Sequence, residues 1–218
     1  ESNTHGQQIK AQPHSVASSA IHTLPNVTGD LIPGKIGGTN FTNSLLVGHA
    51  TTGTLNSAIY NTGVGIDALK AITLGDSNTA IGRRAGSVLT SGSTNTLVGQ
   101  QAGRGITTTS SNTAVGENAL RNQPTGTGNT ALGKNALYAT TADYNIGIGY
   151  TSGNNITSGS GNVVIGVADV PSATADDQLS ISDGEDGSVV WLTGDSAGTV
   201  SANGGQLTTT GKALVMGF

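Results

Sequence analysis

A short pattern of polar and apolar residues recurs along the middle of this chain. It reads Asn, Thr, a small or apolar residue, a β-branched residue or Leu, and then Gly, as in NTAIG at 78–82 and NTAVG at 112–116. The closing glycines follow one another at intervals of 17 residues, with a single interval of 16. They are Gly48, Gly65, Gly82, Gly99, Gly116, Gly133, Gly149 and Gly166. So regular a repeat predicts a stack of nearly identical structural units.

Two apolar columns accompany the repeat glycines. The residue before each glycine is Val, Ile or Leu, and the one before that is Leu, Gly, Ala or Val. Adjacent strand residues face opposite sides, so we expect a strand that is apolar on both faces. Further apolar pairs follow, such as Ala68-Leu69 and Ala119-Leu120, and turn-forming residues separate them. Each unit is therefore predicted to hold two or three short strands joined by tight turns.

A unit of 17 residues is too short for a repeat of paired helices, which needs about 30 residues or more. It fits one coil of a parallel β-solenoid (a β-roll or β-helix), whose coils stack about 4.8 Å apart through main-chain hydrogen bonds. We predict an all-β fold with about eight such coils over 43–170. The β-branched column is expected to fill the interior of each coil.

The column of small residues is then expected to face outward, where it needs a cover. Three copies packed around one axis would bury this face, so we predict a homotrimer, with chains either side by side or interwound. The alternative is a monomeric solenoid whose wider interior accommodates both columns.

The two ends of the chain lack the repeat. Residues 1–42 are interpreted as an N-terminal cap or attachment segment, with two short strands within 21–32. Residues 171–218 contain short alternating apolar runs separated by Asp- and Gly-rich turns, which predicts a β-meander that caps the solenoid and holds three chains in register. We expect Trp191, Met216 and Phe218 to lie inside this meander.

Composition excludes several classes of protein. The 34 glycines do not fall at every third position, which excludes collagen. Only 10% of the residues are charged and the net charge is −4, so no field favours nucleic acid. No run approaches the ~20 apolar residues of a membrane span. The absence of Cys excludes disulfides, thiolate metal sites and cysteine nucleophiles. We therefore expect neither nucleic acid nor membrane as a partner.

Two polar columns are candidates for function or for structure. The Asn of each unit is predicted to form a structural ladder of side-chain amides, because Asn bonds well to turn backbone. This ladder comprises Asn61, Asn78, Asn95, Asn112, Asn129, Asn145 and Asn162. The Thr that follows could form an ice-binding array, but it lies on the same face as the β-branched column. We expect that face to be buried.

Candidate catalytic and metal-binding residues are few. A pair of catalytic carboxylates acts across roughly 5–10 Å, whereas Asp67 and Glu117 are three coils apart, ~14 Å by stacking distance. The DGEDG segment at 183–187 is interpreted as a solvated turn or a weak calcium loop. The histidines, which are His5, His14, His22 and His49, show no spacing typical of metal ligands. We predict no catalytic residue, no metal and no cofactor.

The positions that vary after each glycine are the candidates for contact with a receptor. They form outward stripes that are mildly basic, and such a surface suits anionic glycans of a bacterial surface. The candidates are Lys70, Arg83, Arg84, Arg104, Arg121 and Tyr138. The alternative is that these residues are simply the solvated face of a soluble protein.

The NTAIG, NTAVG and NTALG cores, each followed by two polar residues and Ala-Leu or Ala-Gly, resemble head repeats of trimeric autotransporter adhesins. They resemble even more the related repeats in tail fibres and other appendages of bacteriophages. The resemblance covers 43 to about 170, and it implies a trimer of left-handed parallel β-rolls. The unit here is longer than the usual adhesin unit and has Thr after the Asn.

The resemblance implies a structural virion appendage, a phage fibre, that attaches to a host surface and is not an enzyme. Its expected location is the virion surface, outside the cell. The implied partners are two further copies of the chain, other virion proteins and a host cell-surface glycan. The alternatives are a purely architectural head fibre or capsid decoration, a bacterial trimeric adhesin head, and a polysaccharide-degrading tailspike.

Overall fold

The computed structural model of the chain describes residues 34–36, 45–47, 56–202 and 205–207, and the side chains of 34–36 and 205–207 lie outside this description. These residues belong to the second of two units of the chain, Ile32–Phe218. They contain strands and turns but no helix. The strands are β1 Gly34–Ile36, β2 Leu45–Val47, β3 Thr62–Val64, β4 Thr79–Ile81, β5 Thr96–Val98, β6 Thr113–Val115, β7 Thr130–Leu132, β8 Ile146–Ile148, β9 Val163–Ile165, β10 Leu179–Ser182, β11 Val190–Gly194, β12 Val200–Ala202 and β13 Gly205–Leu207.

All thirteen strands form one sheet in chain order. Each strand from β2 to β9 pairs in parallel with the next, so that the parallel part of the sheet ends at β10. Strand β1 is antiparallel to β2, and β10 to β13 are antiparallel to one another. The prediction of an all-β, parallel β-solenoid with about eight turns of about 17 residues is confirmed.

Each repeat position pairs with the same position of the next coil, as Thr62 does with Thr79 and Thr79 with Thr96. Within the described residues, each coil contains only one three-residue strand, so the prediction of two or three was wrong. The rest of the coil consists of turns, and these also stack through backbone hydrogen bonds. Thr73 N, for example, donates to the carbonyl of Thr90 at 2.9 Å. Regular turns thus replace the additional strands.

The glycine that ends each strand is required by its backbone conformation and by its surroundings. Gly99 has a φ of +136°, and a Cβ added there would lie 2.5 Å from the carbonyl oxygen of Gly116 in the next coil. An L side chain would be strained by the positive φ and would collide with backbone. The glycines that follow the strands from β3 to β9 all have a positive φ, which explains why glycine recurs there.

The interior of the solenoid is lined by the small-residue column, and the predicted assignment of the two strand faces was wrong. The central residues of the strands, such as Ala80, Leu97 and Val164, are fully buried. The β-branched column lies on the outer face, where Ile81 is 42% exposed. Each coil is thin, because it has a single short strand closed by tight turns. Its interior therefore accommodates small side chains better than an unbroken column of Val and Ile.

Large and small side chains alternate inside the solenoid. Leu97 projects from its strand into space left by Gly86 and Gly103, whose added Cβ atoms would lie 2.8 and 2.5 Å from its methyl groups. Where the strand has Gly63, the facing turn supplies Leu69, which is also fully buried. Such exchange of volume between positions keeps a thin core densely packed.

The C-terminal strands form a meander that continues from the last coil. Strand β10 pairs with β9 on one side and with β11 on the other. Trp191 is 53% exposed, so the prediction that it lies inside was wrong. Trp191 lies at an irregularity in the pairing of β10 with β11, in a thin antiparallel sheet that has no second layer of described residues to cover it. Met216, Phe218 and the predicted strands within 21–32 fall outside the described residues.

Candidate ligand-binding surface

The asparagine column is a buried, continuous ladder of hydrogen bonds. In one step, Asn78 donates its backbone N–H and its Nδ2 to Oδ1 of Asn61, each at 3.0 Å. The same Nδ2 also donates to the carbonyl oxygen of Gly92 at 2.9 Å, in a turn of the following coil. All seven asparagines are fully buried. Their amides are therefore occupied by the fold and are closed to an external ligand.

Gln178 extends this ladder by one step, which the sequence reasoning missed. Its backbone N–H and Nε2 donate to Oδ1 of Asn162 at 2.9 and 3.1 Å. The longer side chain also reaches the carbonyl oxygens of Ser172 and Ala175. The sequence contains a signal for this step, because Gln178 has an amide side chain, lies 16 residues after Asn162 and directly precedes an apolar run.

A second ladder, also missed, runs two residues before the asparagines. Ser93 Oγ accepts the backbone N–H of Asp76 at 3.0 Å, and Ser110 Oγ accepts that of Ser93 at the same distance. Carboxylates serve in the same position, since Asp76 accepts from Ile59 N and Asp143 from Thr127 N. Two of the few acids of the repeat thus act as acceptors for backbone.

The outer face of the parallel sheet carries two columns, which we call the outer columns. One contains Val64, Ile81, Val98, Val115, Leu132, Ile148 and Ile165, and the other contains Thr62, Thr79, Thr96, Thr113, Thr130, Ile146 and Val163. The threonines are half-buried or exposed, so the prediction that their face fills the interior was wrong. No charged side chain lies in either column. The sheet therefore presents a regular, uncharged and largely apolar surface.

Three of the six candidate contact residues meet at one groove. Lys70, Arg84 and Arg104 line a cavity of about 220 Å³ together with Asp67, Ser87 and Val88. Lys70 Nζ lies 3.6 Å from Asp67 Oδ1, and Arg84 Nε lies 3.4 Å from Asp67 Oδ2. The Arg104 side chain makes no hydrogen bond or ion pair with the described residues. Two cations therefore share one carboxylate while Arg104 adds a third positive charge, so the groove carries an excess of positive charge.

Arg121 and Tyr138 form a pair beside a second groove. The guanidinium carbon lies 5.5 Å from the centre of the tyrosine ring, and Arg121 Nη1 donates to the tyrosine hydroxyl. Tyr138 also lines a cavity of about 300 Å³ with Asn118, Asn135 and Asn154. This cavity offers amides and an aromatic ring but no charged side chain.

Arg83, the sixth candidate, is exposed and lies outside both grooves. It directly follows the strand-ending Gly82, beside the outer columns, whereas the neighbouring Arg84 lines the basic groove. Two adjacent arginines thus have different surroundings, which the sequence alone did not distinguish.

The acidic turn at 183–187 is organised around Asp183. Its Oδ1 accepts the backbone N–H groups of Glu185, Asp186 and Gly187, and its Oδ2 accepts that of Val189 at 2.8 Å. These bonds hold the pKa of Asp183 below its usual value of 3.8. Across the part of the chain that the structure describes, no three His or acidic side chains are grouped so as to hold a metal ion. The four histidines lie outside that part.

Within the same described residues, no helix is long and apolar enough to cross a membrane. Comparison of the chain with the models of known protein families, with curated proteins and with solved structures finds no match in any of the three.

Proposed function

We propose that the chain is a structural protein of a virion appendage, a fibre that attaches to a host cell surface and performs no catalysis. One observation carries the proposal: the surface of the solenoid is divided into two kinds of region. The outer face of the sheet is uncharged and largely apolar, whereas the grooves, which lie on the turns of the coil, are polar. The first suits association between chains and the second suits an external ligand. The resemblance of the repeats to those of phage fibres and adhesin heads supports the same function.

Association is proposed to involve the outer columns, with three copies of the chain around one axis. The columns consist of Val, Ile, Leu and Thr, are spaced by the coil repeat and carry no charge. Polar side chains flank them, as the ion pair between Lys134 Nζ and Glu117 Oε2 at 3.1 Å illustrates. An apolar centre with a polar rim is the usual anatomy of a protein interface. The contact face thus differs from the small-residue face that the sequence suggested.

Attachment is proposed to involve the two grooves rather than the asparagine ladder. The ladder is buried and fully occupied, whereas Lys70, Arg84, Arg104 and Tyr138 border open grooves. A trimer would present each groove three times, and multivalency strengthens weak single contacts.

The absence of catalysis is proposed because four acids of the repeat already have other partners. Asp67 is bound to two cations, Asp76 and Asp143 accept backbone N–H groups, and Glu117 is paired with Lys134. A glycosidase requires two carboxylates on either side of one bond, and these acids are distributed over several coils.

Adsorption to cells tests the proposal. Labelled protein is incubated with a panel of bacterial strains and with their purified polysaccharides, and the supernatants are assayed for new reducing ends. We expect binding to some strains without new reducing ends. New reducing ends would identify a polysaccharide-degrading tailspike. Absence of binding to every strain would favour a purely architectural role.

Ice binding is a second candidate function, because the threonines of five successive coils lie in register on the outer face of the sheet. Their hydroxyls repeat at the coil spacing of about 4.8 Å, and methyl groups accompany them. Ice and a trimer partner would compete for this face. Thermal hysteresis in a solution of the protein would support ice binding, and its loss in the Thr96→Tyr variant would locate it. Freezing without hysteresis would exclude this candidate.

A further inference from the structure

The two grooves lie between the same two columns of side chains. One column is the second position after each repeat glycine, where Asp67, Arg84, Asn118 and Asn135 stand. The other is the fifth position, with Lys70, Ser87, Arg104, Arg121, Tyr138 and Asn154. We call the surface between these columns the axial groove, since it follows the direction in which the coils stack. Its basic end lies at Lys70 and its neutral end at Asn154.

We propose that the axial groove binds an extended acidic polysaccharide along the stacking direction, with its carboxylates at the basic end and neutral sugar rings at the neutral end. This inference rests on the proposed attachment function and deepens it by assigning the ligand class and the residues.

The basic end can bind carboxylates because its cations are accessible and only partly neutralised. The Lys70 and Arg84 side chains are 53% and 41% exposed, and ion pairs at such exposure are weak and exchange with solvent. Arg84 meets Asp67 through Nε, so its terminal nitrogens retain their donors. Asp67 fixes the position of two cations, and Arg104 adds a third whose guanidinium has no acidic partner among the described residues. A planar guanidinium binds a carboxylate with two parallel hydrogen bonds.

The neutral end offers the groups that bind uncharged sugars. The Asn118 and Asn135 side chains are linked, with Asn118 Nδ2 donating to Asn135 Oδ1 at 3.2 Å. The remaining amide donors and acceptors of this pair can bind sugar hydroxyls. The Tyr138 ring, held by Arg121, provides a flat surface for the apolar face of a pyranose. A polymer with a charge on every unit would match only the basic end.

The spacing of the coils also fits a sugar chain. Equivalent side chains recur about every 4.8 Å along the stack, which is close to the length of one pyranose ring in an extended chain. Successive rings would therefore meet equivalent positions of successive coils. Nucleic acid fits less well, because a chain with a net charge of −4 lacks the extended basic field that phosphodiester backbones require.

Binding to hyaluronan, in which a uronate alternates with a neutral sugar, tests the proposal, with alginate and polygalacturonate as further acidic chains. Affinity is measured by calorimetry at physiological ionic strength for the wild type, the Arg84→Gln/Arg104→Gln variant and the Arg83→Gln/Lys134→Gln variant. The second variant is the matched control, since it removes the same number of charges from exposed positions outside the grooves. We expect the groove variant to bind about tenfold more weakly or worse, and the control to stay within about twofold of the wild type.

Two further measurements test the two ends of the axial groove. Carboxyl-reduced hyaluronan tests the basic end, and the Tyr138→Ala variant tests the neutral end. We expect the reduced polymer to bind more weakly than hyaluronan, and the tyrosine variant to lose affinity for both. The melting temperatures of the variants should match the wild type, because the substituted side chains lie at the surface. The proposal is overturned if the wild type binds none of the three acidic chains, if the control loses as much affinity as the groove variant, or if single-stranded nucleic acid binds as tightly.

Cell adsorption separates this inference from the proposed function. If the groove variant still adsorbs to bacterial cells as the wild type does, attachment stands and the axial groove is not its site. If the wild type binds hyaluronan through the groove but adsorbs to no strain, the glycan site stands and the attachment function fails.

Discussion

The parallel coils and the C-terminal meander belong to one sheet, but different interactions fix their register. Between coils, each residue meets its own counterpart, so the backbone bonds, the asparagine ladder and the Ser/Asp ladder all enforce the same alignment. In the meander, Asp side chains at the hairpin turns hold the strands. Asp183 organises the turn between β10 and β11, and Asp195 Oδ1 accepts from Ala197 N and Thr199 N between β11 and β12.

This difference indicates where each region is vulnerable. A substitution in the repeat affects contacts with the coils on both sides, because the asparagine ladder is continuous and backbone hydrogen bonds join every pair of neighbouring coils. A substitution in a meander turn affects one hairpin. Stability is therefore expected to depend strongly on interior positions of the coils and weakly on the exposed turns.

The largest effect is expected for Gly99→Ala. The new Cβ would lie 2.5 Å from the Gly116 carbonyl oxygen, at a φ of +136°. Backbone strain and the collision together should lower the free energy of unfolding by about 3 kcal/mol or more. Denaturant unfolding measures the change.

Gly184→Ala in the meander is the matched control for this substitution. No atom lies within 4 Å of the Cβ position there, so the free energy of unfolding should stay within about 0.5 kcal/mol of the wild type. Equal losses in the two variants would contradict the view that glycine is required by close contact between coils.

An intermediate effect is expected for Asn95→Ala. Asn95 Oδ1 accepts the backbone N–H and Nδ2 of Asn112, at 3.0 and 3.2 Å, in a fully buried position. Its removal leaves these donors unpaired, which costs about 1–3 kcal/mol for each buried group that stays unsatisfied. Thermal and denaturant unfolding should both register this loss. The exposed Asn122→Ala serves as the control, and a ladder variant no less stable than this control would show that the ladder contributes nothing.

The smallest effect is expected for Asp183→Asn, and it depends on pH. The pKa of Asp183 is lowered in the folded protein, so its carboxylate contributes stability above its unfolded pKa of 3.8. This contribution is lost as the pH falls through the lower folded value. An NMR titration of the Asp183 side chain should give a pKa below 3.8, and hydrogen exchange of Gly187 and Val189 should accelerate in the variant.

Glu185→Gln provides the comparison in the same turn. The Glu185 side chain makes no hydrogen bond to the described residues, so this variant should leave the exchange of Gly187 and Val189 unchanged. A folded-state pKa of Asp183 at or above 3.8 would contradict the role assigned to its backbone hydrogen bonds.

The sequence predicts the coil and its length because the repeat imposes one alignment on every strand. It did not reveal which strand face is buried, since the residues at both positions are apolar and the larger ones were expected inside. A usable signal was present. In the unit of Gly99, the small-residue column holds Leu97 and the fourth position after the glycine holds Gly103. In the unit of Gly65, the order is reversed, because the column holds Gly63 and the fourth position after the glycine holds Leu69. Such exchange of volume is expected only between residues that share an interior.

The sequence predicted which residues are candidates for contact, but it did not predict which of them lie together in the folded chain. In the sequence, Arg83 and Arg84 are consecutive residues of one turn, and the repeat pattern does not indicate that their surroundings differ. Only the structure shows that the turn after Gly82 directs one away from the basic groove and the other onto Asp67. Positive φ at Arg84 is part of that turn, and the sequence gives no direct sign of it because Arg is not a residue that favours this conformation.

The mass of the protein in solution tests most directly whether the outer columns join three chains. Light scattering should give three times the 21.5 kDa of one chain for the wild type. It should give the same mass for Ile66→Glu, which alters a residue that is 63% exposed outside the columns. Ile81→Glu places a charge in the proposed contact and should yield single chains with an unchanged circular dichroism spectrum. A mass of one chain for the wild type, or a trimer that survives Ile81→Glu, would contradict the account.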